Sequence, residues 1–212
     1  MRRLLFTIPA FFFSFSVAQA ANPYLTTNSV AKTECSDCHM AYPPIFLPKA
    51  SWEKIFGNLS NHFGEDASLD PAKVKILQSY YIKNSSDIIL ATEMAAFAAK
   101  KAAKIKAKKS VKHMRKPKII TLAKRWTPSA PPSRIQDVDY FSARHHFSET
   151  CAPVVKGLMK RVKIKTFAMC SGCHAQLPNS GSPAFMLKAT EDMSNDQKKA
   201  FYSPAEFKCF FE

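Results

Sequence analysis

The sequence has few glycines, few acidic residues and no long apolar run after its N-terminus. Its five glycines in 212 residues form neither G-x-G-x-x-G nor G-x-x-x-x-G-K, which excludes the usual glycine-rich nucleotide loops. Asp and Glu number 16 against 31 Lys and Arg, so the net charge is +15. An apolar content of 46% argues against a disordered chain, and the length suits one or two small domains.

Residues 1–20 have the pattern of a secretory signal peptide. A basic start is followed by an apolar run over residues 4–17 and by a small-x-small cleavage site at 18–20. The run is shorter than the roughly 20 residues that a membrane-spanning helix needs, and an uncleaved N-terminal anchor is the alternative. The sequence therefore predicts a periplasmic protein whose mature chain starts at Ala21.

Two C-x-x-C-H motifs carry the chemistry, one at 35–39 and one at 170–174. In an exported protein this motif is the attachment signature of c-type haem. Two thiols three positions apart reach the two vinyl groups of one porphyrin, and the next histidine binds the iron. We therefore expect two covalent haems. Their attachment residues are Cys35, Cys38, Cys170 and Cys173, and their proximal ligands are His39 and His174.

Two other uses of these cysteines fit the sequence less well. A redox dithiol usually lies in a thioredoxin-like βαβ setting, and no such pattern is present. The two C-x-x-C pairs could together bind one zinc ion, but the two histidines at the same relative position would then have no role.

The sixth ligand of each iron matters because an open position binds gas or peroxide, whereas a filled one favours electron transfer. His62 lies three residues after Leu59 and seven after Ile55, on the apolar face of a helix predicted from Ser51 to Phe63. A buried core histidine is the alternative. The haem motif just upstream favours a ligand, so we expect His62 at the first iron.

The second iron has two candidate ligands on a short helix predicted over 135–147. His145 follows Phe141 by four residues and Val138 by seven, on the apolar stripe, and His146 is the second choice on the polar side. Bis-histidine ligation predicts two low-spin haems of low reduction potential, because a thioether ligand would raise that potential.

The patterns predict a mainly α fold with two small haem c domains of short helices and long loops. The N-terminal domain is expected at 21–90, where Asp70 and Pro71 mark a helix start. The C-terminal domain is expected at 133–212 and includes an extra tail. Between them, 91–132 is a basic Ala/Lys-rich insertion and Pro-rich linker, expected to be an exposed helix that frays into the linker.

Most of the net charge lies in residues 100–125, which hold twelve Lys and Arg and no acidic residue. A solvated helix without a specific role is one interpretation, and docking to an acidic protein or an anionic membrane surface is another. Nucleic-acid binding is not expected, because the protein is exported and the stretch has no interleaved aromatic residues.

Two cysteines lie outside the haem motifs. Because an exported protein meets an oxidising compartment, Cys151 and Cys209 are expected either to form a disulfide that ties the tail to the second domain or to be buried free thiols.

The chain resembles the periplasmic dihaem cytochromes c of the Rhodobacter type. The resemblance is carried by Glu34-Cys35-Ser36-Asp37-Cys38-His39-Met40-Ala41-Tyr42-Pro43-Pro44, by His62-Phe63-Gly64-Glu65-Asp66-Ala67-Ser68-Leu69-Asp70 and by the surroundings of His145 and the second motif. It covers about 34–87 and 133–175. The family has a shorter, less basic middle and stops soon after the second motif.

This resemblance implies ligand pairs of His39 with His62 and of His174 with His145. It also implies low-potential electron transfer between a membrane b-type cytochrome and a small c-type haem protein. A haem enzyme such as a peroxidase or reductase, or a gas or redox sensor, is the alternative and would need one labile sixth ligand.

Overall fold

The computed structural model describes residues 22–167, 169–180, 190 and 192–211, so the predicted signal peptide lies outside the described residues. Within them the chain is helical without strands, which confirms the mainly α prediction. The helices are α1 (Ser29–Cys35), α2 (Lys49–Phe56), α3 (Pro71–Lys83), α4 (Ser86–Lys106), α5 (Lys118–Arg125), α6 (Asp139–Arg144), α7 (Cys151–Arg161), α8 (Cys170–Cys173), α9 (Leu177–Ser180), α10 (Asn195–Phe201) and α11 (Pro204–Phe211).

The main core is built around the aromatic side chains of α2 and α3. The Trp52 ring lies 4.5 Å from Tyr81, and its indole N–H donates to the Pro44 carbonyl at 2.7 Å. Leu77 is fully buried beside them. The predicted start of α3 is confirmed, because the Asp70 side chain accepts from the Ala72 N–H and caps the helix.

The helix predicted from Ser51 to Phe63 was wrong at both ends. It starts at Lys49, whose N–H donates at 2.8 Å to the Asp87 carboxylate, a cap from 38 residues away. Ser51 is therefore inside the helix, and its hydroxyl donates to the Pro132 carbonyl. The helix ends at Phe56, with Gly57 as its C-cap.

The basic segment is more firmly attached than the sequence suggested. α4 is an exposed helix as expected, but α5 does not fray into a linker: its Ile120, Leu122 and Ala123 are buried, as is Trp126 after it. Trp126 stacks on Phe46 at 4.4 Å. The apolar residues of 119–126 form a narrow stripe on one face of α5. This stripe indicates burial, but the basic residues around it favour an exposed segment.

Residues from the expected second domain also enter the main core. The helix predicted over 135–147 is divided into a 3-10 turn at Ile135–Asp137 and α6, because Val138 between them is extended. Ile135, Val138 and Phe141 pack in the core that contains Trp52. The boundaries of the two expected domains stay a prediction.

The tail returns to α7, where Cys151 and Cys209 form a disulfide with their Cα atoms 5.6 Å apart. This confirms the expected pairing. None of the helices in the described part of the chain is long and apolar enough to cross a membrane.

Replacing Leu77 tests the importance of the main core. Leu77→Ala should lower the free energy of unfolding by about 2–5 kcal/mol, because it leaves a cavity at a fully buried position. Ile76→Ala, one residue away and 47% exposed, is the matched control and should change it by about 0.5 kcal/mol or less. Denaturant unfolding of the haem-loaded protein measures both, and equal losses would contradict this description of the core.

Candidate haem sites

The first cysteine motif lies at the end of α1, which finishes at Cys35, while Cys38 is exposed on the turn that follows. The Nδ1–H of His39 donates to the Met40 carbonyl at 2.7 Å, since a carbonyl can only accept. Tyr42 stacks on the same imidazole, with ring centres 4.6 Å apart. The hydrogen bond at Nδ1 leaves Nε2 as the nitrogen that could bind a metal ion.

His62 faces His39 from a turn, not from a helix as predicted. It follows a 3-10 turn at Leu59–Asn61. Its backbone N–H donates to the Glu65 carbonyl at 2.7 Å, and the two residues form an isolated antiparallel bridge. Gly64 at φ +100° closes this turn in a conformation that favours glycine. The His39 and His62 ring centres lie 6.2 Å apart, with 28° between the planes.

The second motif forms α8, a single helical turn, with His174 directly after it. His145 is the C-cap of α6, stacks on Phe141 at 3.9 Å and donates from Nδ1 to the Phe141 carbonyl at 2.9 Å. Its ring centre lies 6.1 Å from that of His174, with 86° between the planes. His146 is exposed, so the structure places the first choice and not the second opposite His174.

Both histidine pairs have the spacing that one iron requires. Two imidazoles that bind a metal ion from opposite sides have ring centres about 6 Å apart, since each metal–nitrogen bond is roughly 2 Å long and each nitrogen lies about 1 Å from its ring centre. The observed 6.2 and 6.1 Å therefore fit two bis-histidine haems. Cys35 and Cys38 would hold the first haem, and Cys170 and Cys173 the second.

The ionisation of these groups also suits a haem. Burial, and then the neighbouring His39, lower the pKa of His62, while burial is the main cause that lowers the pKa of His145. Both shifts favour the neutral imidazole, which is the form that binds a metal ion. Among the described residues no three His, Cys, Asp or Glu side chains are grouped closely enough to hold a metal ion.

A cavity beside His145 and His174 extends the second site. Its other walls include Phe147, Val155, Leu158, Met159, Phe167, Cys170, Cys173, Cys209 and Phe210. Two of these residues, Cys209 and Phe210, come from the C-terminal tail. Local sequence patterns do not place them at the site, because only the long-range disulfide brings them there.

The two sites contact each other through the residues after His39. Met40 is buried together with Cys170 and Leu177, and Tyr42 packs against this cluster. Burial and the adjacent Cys170 sulfur raise the pKa of Tyr42 above its usual range. Tyr42 therefore touches the proximal histidine of the first site and an attachment residue of the second.

The chain belongs to the dihaem cytochrome c family, whose model matches residues 31–180. Family members carry two covalently bound c-type haems. The comparison with curated proteins gives no match.

Two solved structures are similar to this chain. Diheme cytochrome c from Rhodobacter sphaeroides is 25% identical, with 74% of this chain and 97% of that chain covered and a TM-score of 0.48. The diheme cytochrome from Shewanella baltica OS155 is 24% identical, with 72% and 84% covered and a TM-score of 0.43.

The different ring angles predict two distinct signals for the ferric protein in electron paramagnetic resonance. Nearly parallel imidazoles donate into one iron d orbital and should give a rhombic signal for the first haem. Nearly perpendicular imidazoles share two orbitals and should give a strongly axial signal for the second. His62→Met should remove only the rhombic signal and raise the potential of only that haem. His146→Ala is the control, and a His62→Met variant that altered the axial signal would contradict the pairing.

Proposed function

We propose that the chain is an exported dihaem cytochrome that relays electrons from a membrane-bound b-type cytochrome to a soluble haem protein. The observation that carries this proposal is the pairing of four histidines with ring centres 6.2 and 6.1 Å apart. Each pair would fill both axial positions of its iron, which favours electron transfer over catalysis and predicts low potentials. Bound haem supplies one-electron chemistry by cycling between the ferrous and ferric states.

The surrounding residues support such a relay in two ways. The hydrogen bonds from Nδ1 of His39 and His145 hold their imidazoles in one orientation, so little has to move when the charge at the site changes. The contact of Met40 and Tyr42 with Cys170 provides a packed path between the sites. An electron accepted at one site would thus reach the other without leaving the protein.

The proposed location is the periplasm. The signal-peptide pattern of residues 1–20 supports export, and a disulfide between Cys151 and Cys209 is typical of proteins outside the cytoplasm.

A redox titration with spectra in each state tests the relay. We expect two haems per chain by the pyridine haemochrome assay, low-spin spectra in both oxidation states and low midpoint potentials, because both sixth positions are filled. The reduced protein should not bind carbon monoxide. A high-spin fraction that binds carbon monoxide or peroxide would contradict the relay and favour a haem enzyme or a gas sensor.

We further propose that the basic segment 100–125 docks an acidic protein partner. All twelve of its Lys and Arg side chains are exposed, and in the described part of the chain none of them forms an ion pair. α4 and α5 pack against each other as a helical hairpin, and the burial of α5 together with a hydrogen bond from Ser86 to the Trp126 carbonyl attaches its base to the core. The positive charges are therefore presented on a fixed surface.

The arrangement of α4 favours an acidic protein over a membrane surface. A helix that lies in a membrane interface needs a continuous apolar face. Here Lys101 lies four residues after Phe97 and four before Ile105, so a charge interrupts the apolar positions. Ile105 itself is 58% exposed between lysines.

Removing charges from the hairpin tests this docking. We expect K100Q/K101Q/K104Q/K106Q to slow electron transfer to an acidic small c-type cytochrome by about tenfold or more at low ionic strength, because electrostatic steering is lost. At high ionic strength the variant and the native protein should converge. Stopped-flow kinetics measure both rates.

The control removes four exposed lysines elsewhere, in K156Q/K160Q/K163Q/K165Q, and should slow transfer much less. Equal effects of the two variants would contradict a specific docking surface. Sedimentation with phosphatidylglycerol vesicles tests the membrane alternative. If the hairpin lysines are needed for sedimentation but not for the transfer rate, the segment docks a membrane surface instead.

A further inference from the structure

The C-terminal tail, residues 192–211, lies beyond the part of the chain that matches the family, which ends at residue 180. It does not extend away from the protein. α11 packs against α7, and the disulfide between Cys151 and Cys209 joins the start of α7 to the end of α11.

An ion pair between the exposed Arg161 and the buried Glu206 holds the tail at a second point. One Arg161 nitrogen, Nη2, donates to both carboxylate oxygens of Glu206, at 3.0 and 2.9 Å. Glu206 is only 8% exposed, and it also accepts from the Ser203 N–H at 2.7 Å. The guanidinium of Arg161 lies 4.3 Å from the centre of the Phe201 ring. Covalent, ionic and aromatic contacts thus fix both α10 and α11.

The inner side of the tail meets the second haem site. Cys209 and Phe210 line the cavity that also contains His145, His174 and Cys173. Phe210 packs, with Phe201 and Tyr202, on the small core of Leu158 and Ile164 that Cys173 also touches.

An aromatic chain links the tail to the distal histidine. Ring centres lie 6.0 Å apart between Phe210 and Phe147, 6.1 Å between Phe147 and Phe167, and 6.0 Å between Phe167 and His145. The tail therefore also supports the side of the cavity from which His145 approaches.

We propose that the tail is a shield over the second haem, which keeps water from that haem and sets its reduction potential. Ferric haem carries one more positive charge than ferrous haem, so exclusion of water disfavours the ferric form and raises the potential. Phe210 is the positioning residue that closes the cavity, and the disulfide keeps it there. This inference rests on the two haems and not on the proposed relay partners.

Phe210→Ala tests the shield, with Phe207→Ala as the matched control. Phe207 is on the same helix but is 41% exposed and is not part of the cavity wall. We expect Phe210→Ala to shift the ferric-to-ferrous equilibrium of the second haem at least tenfold toward the ferric form, a fall of about 59 mV or more. Phe207→Ala should leave the potential of the second haem unchanged, and neither variant should change the potential of the first haem. Potentiometric titration, monitored through the axial electron paramagnetic resonance signal, measures the potential of the second haem alone.

A second variant removes the disulfide and leaves the Phe210 side chain in place. C151S/C209S should lower the potential of the second haem in the same direction and speed hydrogen exchange in α11, while both haems remain attached. Unchanged potentials in both variants would overturn the proposal. So would an equal shift of both haems, or loss of the second haem from both variants, because the tail would then serve overall stability or haem attachment. Neither result would alter the low-spin spectra that test the relay.

Discussion

The distance between facing imidazoles constrains much of the chain. An iron held by two histidines needs their ring centres about 6 Å apart, and the histidines of each facing pair are more than 20 residues apart in the sequence. Three of the four histidines lie directly after a helical turn, and His39 follows the turn after α1. His145 and His174 are the C-caps of α6 and α8, and His62 caps the 3-10 turn before it. At such a position the carbonyls of the last helical turn can accept from the histidine itself: the Phe141 carbonyl accepts from both the backbone N–H and the ring Nδ1–H of His145, which orients its ring.

The parts of the site that depend on local sequence could be predicted, and those that depend on distant residues could not. The attachment motifs are set by spacing within five residues, and His145 was identified by its relation to Phe141 one helical turn earlier. His62 was chosen for a helical face, yet it lies in a turn. The turn nevertheless places the His62 ring opposite His39, with ring centres 6.2 Å apart, as the helical face would have done.

The errors in the fold have the same physical cause. α2 begins two residues earlier than expected, because Asp87 from the start of α4 caps it. Trp126, the C-cap of α5, packs against Phe46 and Tyr140 and so holds the end of α5 on the core, although the lysines of α5 suggest exposure. The tail has little periodic pattern, and its position is determined by Cys151 and Arg161 on α7. In each case one long-range contact outweighs the local preference.

The burial of the second motif constrains the order in which the protein matures. Cys170 is 9% exposed and lies beneath Met40 and Leu177, and Cys173 packs in the cluster that the tail completes. Thioether bonds form only while both sulfurs are accessible, so attachment of a haem at the second motif requires the packing of Met40 and Leu177 over Cys170 to be open. Haem attachment at the second motif therefore has to precede the packing of the two sites against each other.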